Sequence, residues 1–183
     1  MLIDNKFFLN QNASNFLFEN YATLRRIFSD FIGQLDIAYI SYTFISKNNE
    51  VFFISSSPAI EQNLIEKNLW CLDLTSLQPF LLKDKFVPWA QFINELSFAL
   101  RTYKYDKFLD GYCMLTSYQE FIVITFLGFN KKTLTKTVFN SSKFLALSSY
   151  CLQKIHYLIP LPTLKGVIRN KPFLQLIVNN TGT

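Results

Sequence analysis

A nucleophile with a nearby base is the first pairing to seek, and Cys151 with His156 is the pair closest in sequence. A cysteine of this kind needs an imidazole to take its proton, a group that orients the imidazole, and a site for the developing oxyanion. The two residues stand five apart in a run with helical spacing, so they do not share a face well. No orienting group is visible beside them, and they read as a packed thiol and a half-exposed imidazole. His156 is the single histidine, which excludes a multi-histidine metal centre. Cys71, Cys113 and Cys151 are odd in number and far apart, with no Cys-x-x-Cys pair, so zinc and thioredoxin-like chemistry fall away. The odd count fits a reducing compartment with buried thiols.

Paired carboxylates are the next candidates. Asp106 and Asp110 stand beside the second predicted strand pair, and Asp30 and Asp36 flank Gly33. Neither pair resembles a calcium loop, and spacing alone does not make a two-carboxylate hydrolase. The five glycines are isolated, so no phosphate-cradling loop is present. Asp73 is different, because it lies in the apolar run Trp70-Cys71-Leu72-Asp73-Leu74. A carboxylate there is costly unless it meets a donor. Two readings stand: in a ligand pocket the donor is an amide or hydroxyl of the ligand, and in a cap or turn it is a nearby backbone N–H close to Thr75-Ser76. Around it, Tyr39, Tyr42, Phe44, Phe52, Phe53, Trp70, Phe80, Trp89 and Phe92 are candidates for an interior between a sheet and helices.

The elements that would position these residues follow from hydrophobic spacing. Residues 1–13 are polar and Asn-rich, a flexible N-terminal segment. Ser14 is placed to cap a helix whose apolar positions, Leu17, Tyr21, Leu24, Phe28 and Phe31, form one face, with Gly33 as its stop. Ile37–Ile45 is β-branched and aromatic with no charge inside. Lys47-Asn48-Asn49-Glu50 reads as a turn, and Val51–Ile54 as the return strand. Ser57-Pro58 starts a helix edged by Ile60, Leu64 and Ile65 that fades near Asn68. Trp70 to Lys85 is irregular or partly helical, with Pro79 inside. Pro88 is expected to open another helix carrying Trp89, Phe92, Ile93, Leu96, Leu100 and Tyr103, and Lys104–Lys107 is a polar break. Tyr112–Leu115 and Phe121–Leu127 form a second strand pair joined by Tyr118-Gln119-Glu120. A long helix is expected between Thr133 and Leu158, ended by Pro160 and Pro162. Beyond it a short tail, 161–183, holds one apolar patch, Phe173–Val178.

Strands that arrive in adjacent pairs argue for antiparallel pairing and against a doubly wound parallel sheet. The predicted fold is α/β: one sensor-like domain over 14–160, a small antiparallel sheet flanked by helices in an α-β-α sandwich of PAS- or GAF-like shape. Composition agrees. The chain has 183 residues, enough for one domain with a real core. Half of them are hydrophobic and only 17% are charged, which rules out intrinsic disorder. The net charge of +5 is scattered, its densest pairs being Arg25-Arg26 and Lys131-Lys132. No basic run reads as a nucleic-acid arm, so direct nucleic-acid binding is not expected. The apolar runs Ile37–Ser46 and Phe121–Asn130 are too short to span a bilayer, and the start lacks a signal peptide, so a cytoplasmic location is expected.

Set in this order, the residues carry a resemblance. Asp36–Tyr42 leads a hairpin, and Phe53-Ile54-Ser55-Ser56-Ser57-Pro58 opens the next helix. Asp73, Trp89, Gly111 and a long closing helix follow. Over roughly residues 16–160 this layout resembles the autoinducer-binding sensor domain of LuxR-type transcriptional regulators. The resemblance implies a bacterial quorum-sensing role in transcription regulation. In that family an Asp bonds the amide of an acyl-homoserine lactone, and Asp73 matches it. A downstream Trp lines the pocket and matches Trp89, and a Gly at the start of the later strand pair matches Gly111. The family's head-group Tyr and Trp fall near Ile60 and Leu64, and its Pro after the Asp is replaced by Leu74. The resemblance therefore implies a small, largely apolar or acyl-type ligand, no cofactor and no catalysis. The ligand layer would be lined by Tyr39, Tyr42, Ile60, Leu64, Asp73, Trp89 and Gly111. The family's C-terminal helix-turn-helix has no counterpart in 161–183, so action through a homodimer or a regulator partner is expected. The alternative is a ligand-free protein-interaction module, such as a bacterial effector or antagonist, whose aromatics are structural and for which Phe173–Val178 offers a docking edge.

Overall fold

The computed structural model describes residues 7–35, 37–77, 79–80, 86–130 and 141–162. Asp36, positions 133–140 of the expected long helix and the Phe173–Val178 patch lie outside the described residues.

The uncharged run after Ala38 becomes β2 (Tyr39–Ile45) and pairs antiparallel with β3 (Glu50–Ser55) through a turn with Asn49 at φ 60. Asn tolerates that left-handed backbone better than most residues. β5 (Asp110–Tyr118) and β6 (Phe121–Phe129) form the second hairpin, and β6 pairs with β2 from Tyr39↔Gly128 to Ile45↔Ile122. Two short strands complete a six-stranded sheet in the order β1-β3-β2-β6-β5-β4. β1 (Phe8–Leu9) runs parallel to β3, so the sheet is mixed where a purely antiparallel one was expected. It also places part of the 1–13 segment on the sheet edge. β4 (Phe86–Pro88) pairs with β5 at Tyr112–Met114. Pro88 therefore closes an edge strand instead of opening a helix, a position where its missing N–H costs no ladder bond.

Because strand side chains alternate, the sheet has two buried faces. Ile40, Tyr42, Phe44, Phe52, Ile54, Val123 and Leu127 face α1 (Ala13–Glu19), α2 (Tyr21–Leu35) and α6 (Ser141–Leu158). The Phe44 and Phe52 rings stack at 4.7 Å, and Phe121 stands edge-on to both. The expected first helix is two, broken at Asn20, and α2 runs through Gly33 to Leu35. The opposite face presents Tyr39, Ile45, Val51, Phe53, Cys113, Ile124 and Phe126. Over it lie α3 (Pro58–Glu66), α4 (Trp70–Leu77), α5 (Phe98–Tyr103) and single 3₁₀ turns at Trp89–Gln91, Ile93–Glu95 and Tyr105–Lys107. The helix expected from Pro88 is thus two 3₁₀ turns followed by α5. The result is an open sheet flanked by helices on both faces. Among the described residues, no helix is long and apolar enough to cross a membrane.

Candidate functional site

Among the described residues, three of the four buried charged side chains, Glu61, Asp73 and Lys104, lie on the face covered by α3–α5. On α4 the inward stripe is Trp70, Asp73, Leu74 and Leu77, a spacing of three, four and seven that puts the carboxylate of Asp73 among apolar neighbours. Ser97 caps α5 by accepting a hydrogen bond from the Leu100 N–H. The chain then leaves the helix at Lys104 and turns through Tyr105–Lys107. That turn aims two consecutive side chains at Asp73. Lys104 Nζ donates to Oδ2 at 2.5 Å, and the Tyr105 hydroxyl donates to Oδ1 at 2.5 Å. Lys104 is 2% exposed and Asp73 3%. The ammonium also lies 3.2 Å from the centroid of the Phe126 ring.

Asp73 is therefore neither a cap nor an open anchor. Its carboxylate is half of a buried ion pair with an added hydroxyl donor. Lys104, expected in a polar break, is instead interior. A second link lies beside the first: the Tyr39 hydroxyl donates to Glu61 Oε1, joining β2 to α3. Burial pushes the Glu61 carboxyl above the ordinary glutamate range, and the Lys104 charge and the Tyr39, Ser55 and Ser41 hydroxyls offset only part of that. Burial likewise raises the phenols of Tyr39 and Tyr105, reinforced by Glu61 and Asp73 respectively. The Cys113 thiol is pushed up to about 12 by burial, which leaves it a poor nucleophile. Trp89 Nε1 is a buried donor of this layer with no hydrogen-bond partner.

Glycines shape the floor. Gly111 and Gly128 face each other across β5 and β6. The Trp89 indole lies against Gly111 so closely that a Cβ there would overlap the ring, and a Cβ at Gly128 would come within 2.7 Å of Phe108. Trp89 in turn meets Tyr105 edge-on at 4.7 Å, while Phe108 stacks on Tyr39 at 5.0 Å.

Of the residues named from sequence, Tyr39, Ile60, Leu64, Asp73 and Trp89 share this layer, and Gly111 forms its floor. Tyr42 does not join them. Three residues from Tyr39 on one strand, it points to the other face, where it stacks on Phe28 at 6.0 Å and lies 3.3 Å from Ser148 Oγ. A cleft of about 160 Å³ near it lies between β5 and α6, lined by Met114, Tyr118, Ser148 and Leu152 among others. Lys104, Tyr105 and Glu61 were not foreseen. Glu61 had a sequence signal, since it falls in the inward stripe with Pro58, Ile60 and Leu64. Cys151 is buried on the inner side of α6, and His156 of the same helix lies edge-on to Tyr118 at 6.3 Å, so the two do not act together. Among the described residues, no group of three or more His, Cys, Asp or Glu is arranged to hold a metal ion.

An open six-stranded sheet flanked by helices is an arrangement this chain shares with a solved structure. The particular likeness is to a crystal structure of Escherichia coli SdiA, with 13% sequence identity, a TM-score of 0.52, and coverage of 84% of this chain and 72% of that one. No family model and no curated protein matches the sequence.

Proposed function

We propose that this chain is a non-catalytic, sensor-like domain of the LuxR type, related to quorum sensing, that receives a small, largely apolar molecule between the sheet and α3–α5. Occupancy of that layer is passed on through contact with a second copy or a regulator partner. The observation that carries the reading is the gathering of Tyr39, Ile60, Leu64, Asp73, Trp89 and Gly111 on one buried face. The likeness of fold to E. coli SdiA supports it. The unpartnered indole N–H of Trp89 supports it too, since buried polar groups ordinarily have partners. A ligand that binds the paired state better than the unpaired one shifts the equilibrium by that difference in affinity.

The test is gentle and then denaturing mass spectrometry of the full chain purified from a bacterial host, beside thermal unfolding with a panel of acyl lactones and fatty acids. A stoichiometric small molecule released on unfolding is the expected result. A clean protein mass with no thermal shift across the panel overturns it. A second reading, the ligand-free interaction module, is favoured by one specific observation: both oxygens of Asp73 already have partners within the chain.

A further inference from the structure

The Asp73 carboxylate has an occupant, and the occupant is the chain itself. Oδ2 receives the Lys104 ammonium and Oδ1 the Tyr105 hydroxyl, each at 2.5 Å. The side chains of the ion pair are 2% and 5% exposed, so water does not compete for either group. The ammonium sits against the face of Phe126 at 3.2 Å, a position that suits a desolvated cation. Two adjacent residues at the end of α5 thus deliver a cation and a neutral donor to one carboxylate from a single turn of chain.

We infer that Lys104 is a tethered occupant of the Asp73 anchor: it excludes from this position any ligand that needs the carboxylate as its acceptor, and removal of its side chain leaves a site for a small alkylammonium ion. The inference rests on the reading of this face as the ligand layer, and it narrows that reading. A molecule bound here by the native chain makes its polar contacts elsewhere, with the Trp89 indole N–H the donor still open. The chemical class that fits the vacated anchor follows from what is removed. Lys104→Ala deletes three methylenes and an ammonium, which together are n-propylammonium. That ion supplies the charge, the N–H donors and the apolar stem that fit between Asp73 and Phe126.

The experiment uses the full chain with Lys104→Ala, titrated with n-propylammonium chloride and followed by thermal unfolding and tryptophan fluorescence. Tetramethylammonium chloride (charge without N–H donors) and n-propanol (shape without charge) are the controls. At ten times its dissociation constant, n-propylammonium is expected to raise the midpoint by about 3–6 °C. Neither control nor the wild-type chain should give a saturable shift, and Asp73→Asn/Lys104→Ala should lose it. Equal response to n-propylammonium and tetramethylammonium overturns the inference. If Lys104→Ala does not fold, it is refolded with each solute present, and the folded yield is read by the same criterion. The two readings fail separately. An acyl amide that stabilises the wild-type chain but not Asp73→Asn refutes the occupant and keeps the ligand layer. Rescue by n-propylammonium in a chain for which no apolar ligand is found does the reverse.

Discussion

Asp73→Ala separates a carboxylate held for the fold from one held for a ligand. The substitution leaves the Lys104 ammonium as a buried charge without its counter-ion, and strips the Tyr105 hydroxyl of its acceptor. Removing one partner of a buried ion pair costs about 3–5 kcal/mol. An orphaned buried donor costs about 1–3 kcal/mol more when the losses are independent. Here they share one carboxylate, so they overlap, and a loss of about 4–5 kcal/mol is expected. For a chain of this size that lowers the unfolding midpoint by roughly 8–20 °C. A carboxylate kept only to meet a ligand would leave the unliganded protein nearly unchanged on replacement. The assay is urea unfolding at 25 °C of the wild type, Asp73→Ala, Lys104→Met and the double variant, followed by circular dichroism and tryptophan fluorescence. The double variant should lose clearly less than the two singles combined, with a coupling above about 2 kcal/mol, because it leaves neither charge alone. Asp73→Ala within about 1 kcal/mol of wild type, or strictly additive losses, would refute the reasoning.

Two further outcomes follow from the same layer. Gly111→Ala places a methyl inside the Trp89 ring, so the indole must shift off the sheet and off Tyr105. A loss of about 1–3 kcal/mol in urea unfolding, with a change in tryptophan emission, is expected, and unchanged emission counts against the packing described. Glu61 gives a pH dependence. Its folded carboxyl titrates above the ordinary glutamate range, so the folded state holds a proton that the unfolded chain has already released. The resulting stability is present at acid pH and is lost as pH rises through the folded value. Wild type should therefore gain stability relative to Glu61→Gln on going from neutral pH toward that range. Parallel pH profiles for the two proteins contradict this.

What was legible in the sequence is what is local and periodic. The unbroken β-branched and aromatic runs at Ile37–Ile45 and Phe121–Leu127 gave the two central strands, and Ser57-Pro58 gave the start of α3. Period 2 also carried the placement of Tyr42. A residue three positions from Tyr39 on a strand faces the other way, and applying that rule separates the two tyrosines without coordinates. β1 was not legible, because two residues of strand, Phe8–Leu9, have no period to detect, and their pairing with Glu50-Val51 is set by tertiary contact. Pro88 misled because a proline before an apolar run marks a helix start and the end of an edge strand equally well.

The anchor was illegible for a different reason. A lysine in Tyr103-Lys104-Tyr105-Asp106-Lys107 reads as solvent-facing, since lysine is almost never fully buried unless paired, and its partner lies 31 residues earlier on another helix. Composition around Asp73 does show that the carboxylate needs a donor, because an acid beside Trp70 and Leu74 cannot stay unpaired in the interior. Sequence thus fixed the demand without naming the supplier. Once the turn after α5 is known, the supplier is determined by reach: among the donors at that turn, Lys104 and Tyr105 are adjacent, and both are aimed inward. Asp106 of the same turn pairs with Arg101 of α5 at 3.4 Å on the surface, where such a pair contributes little. The end of α5 and the turn after it therefore sort four polar side chains into a buried set that ties this segment to α4 and an exposed set that leaves the fold almost unaffected.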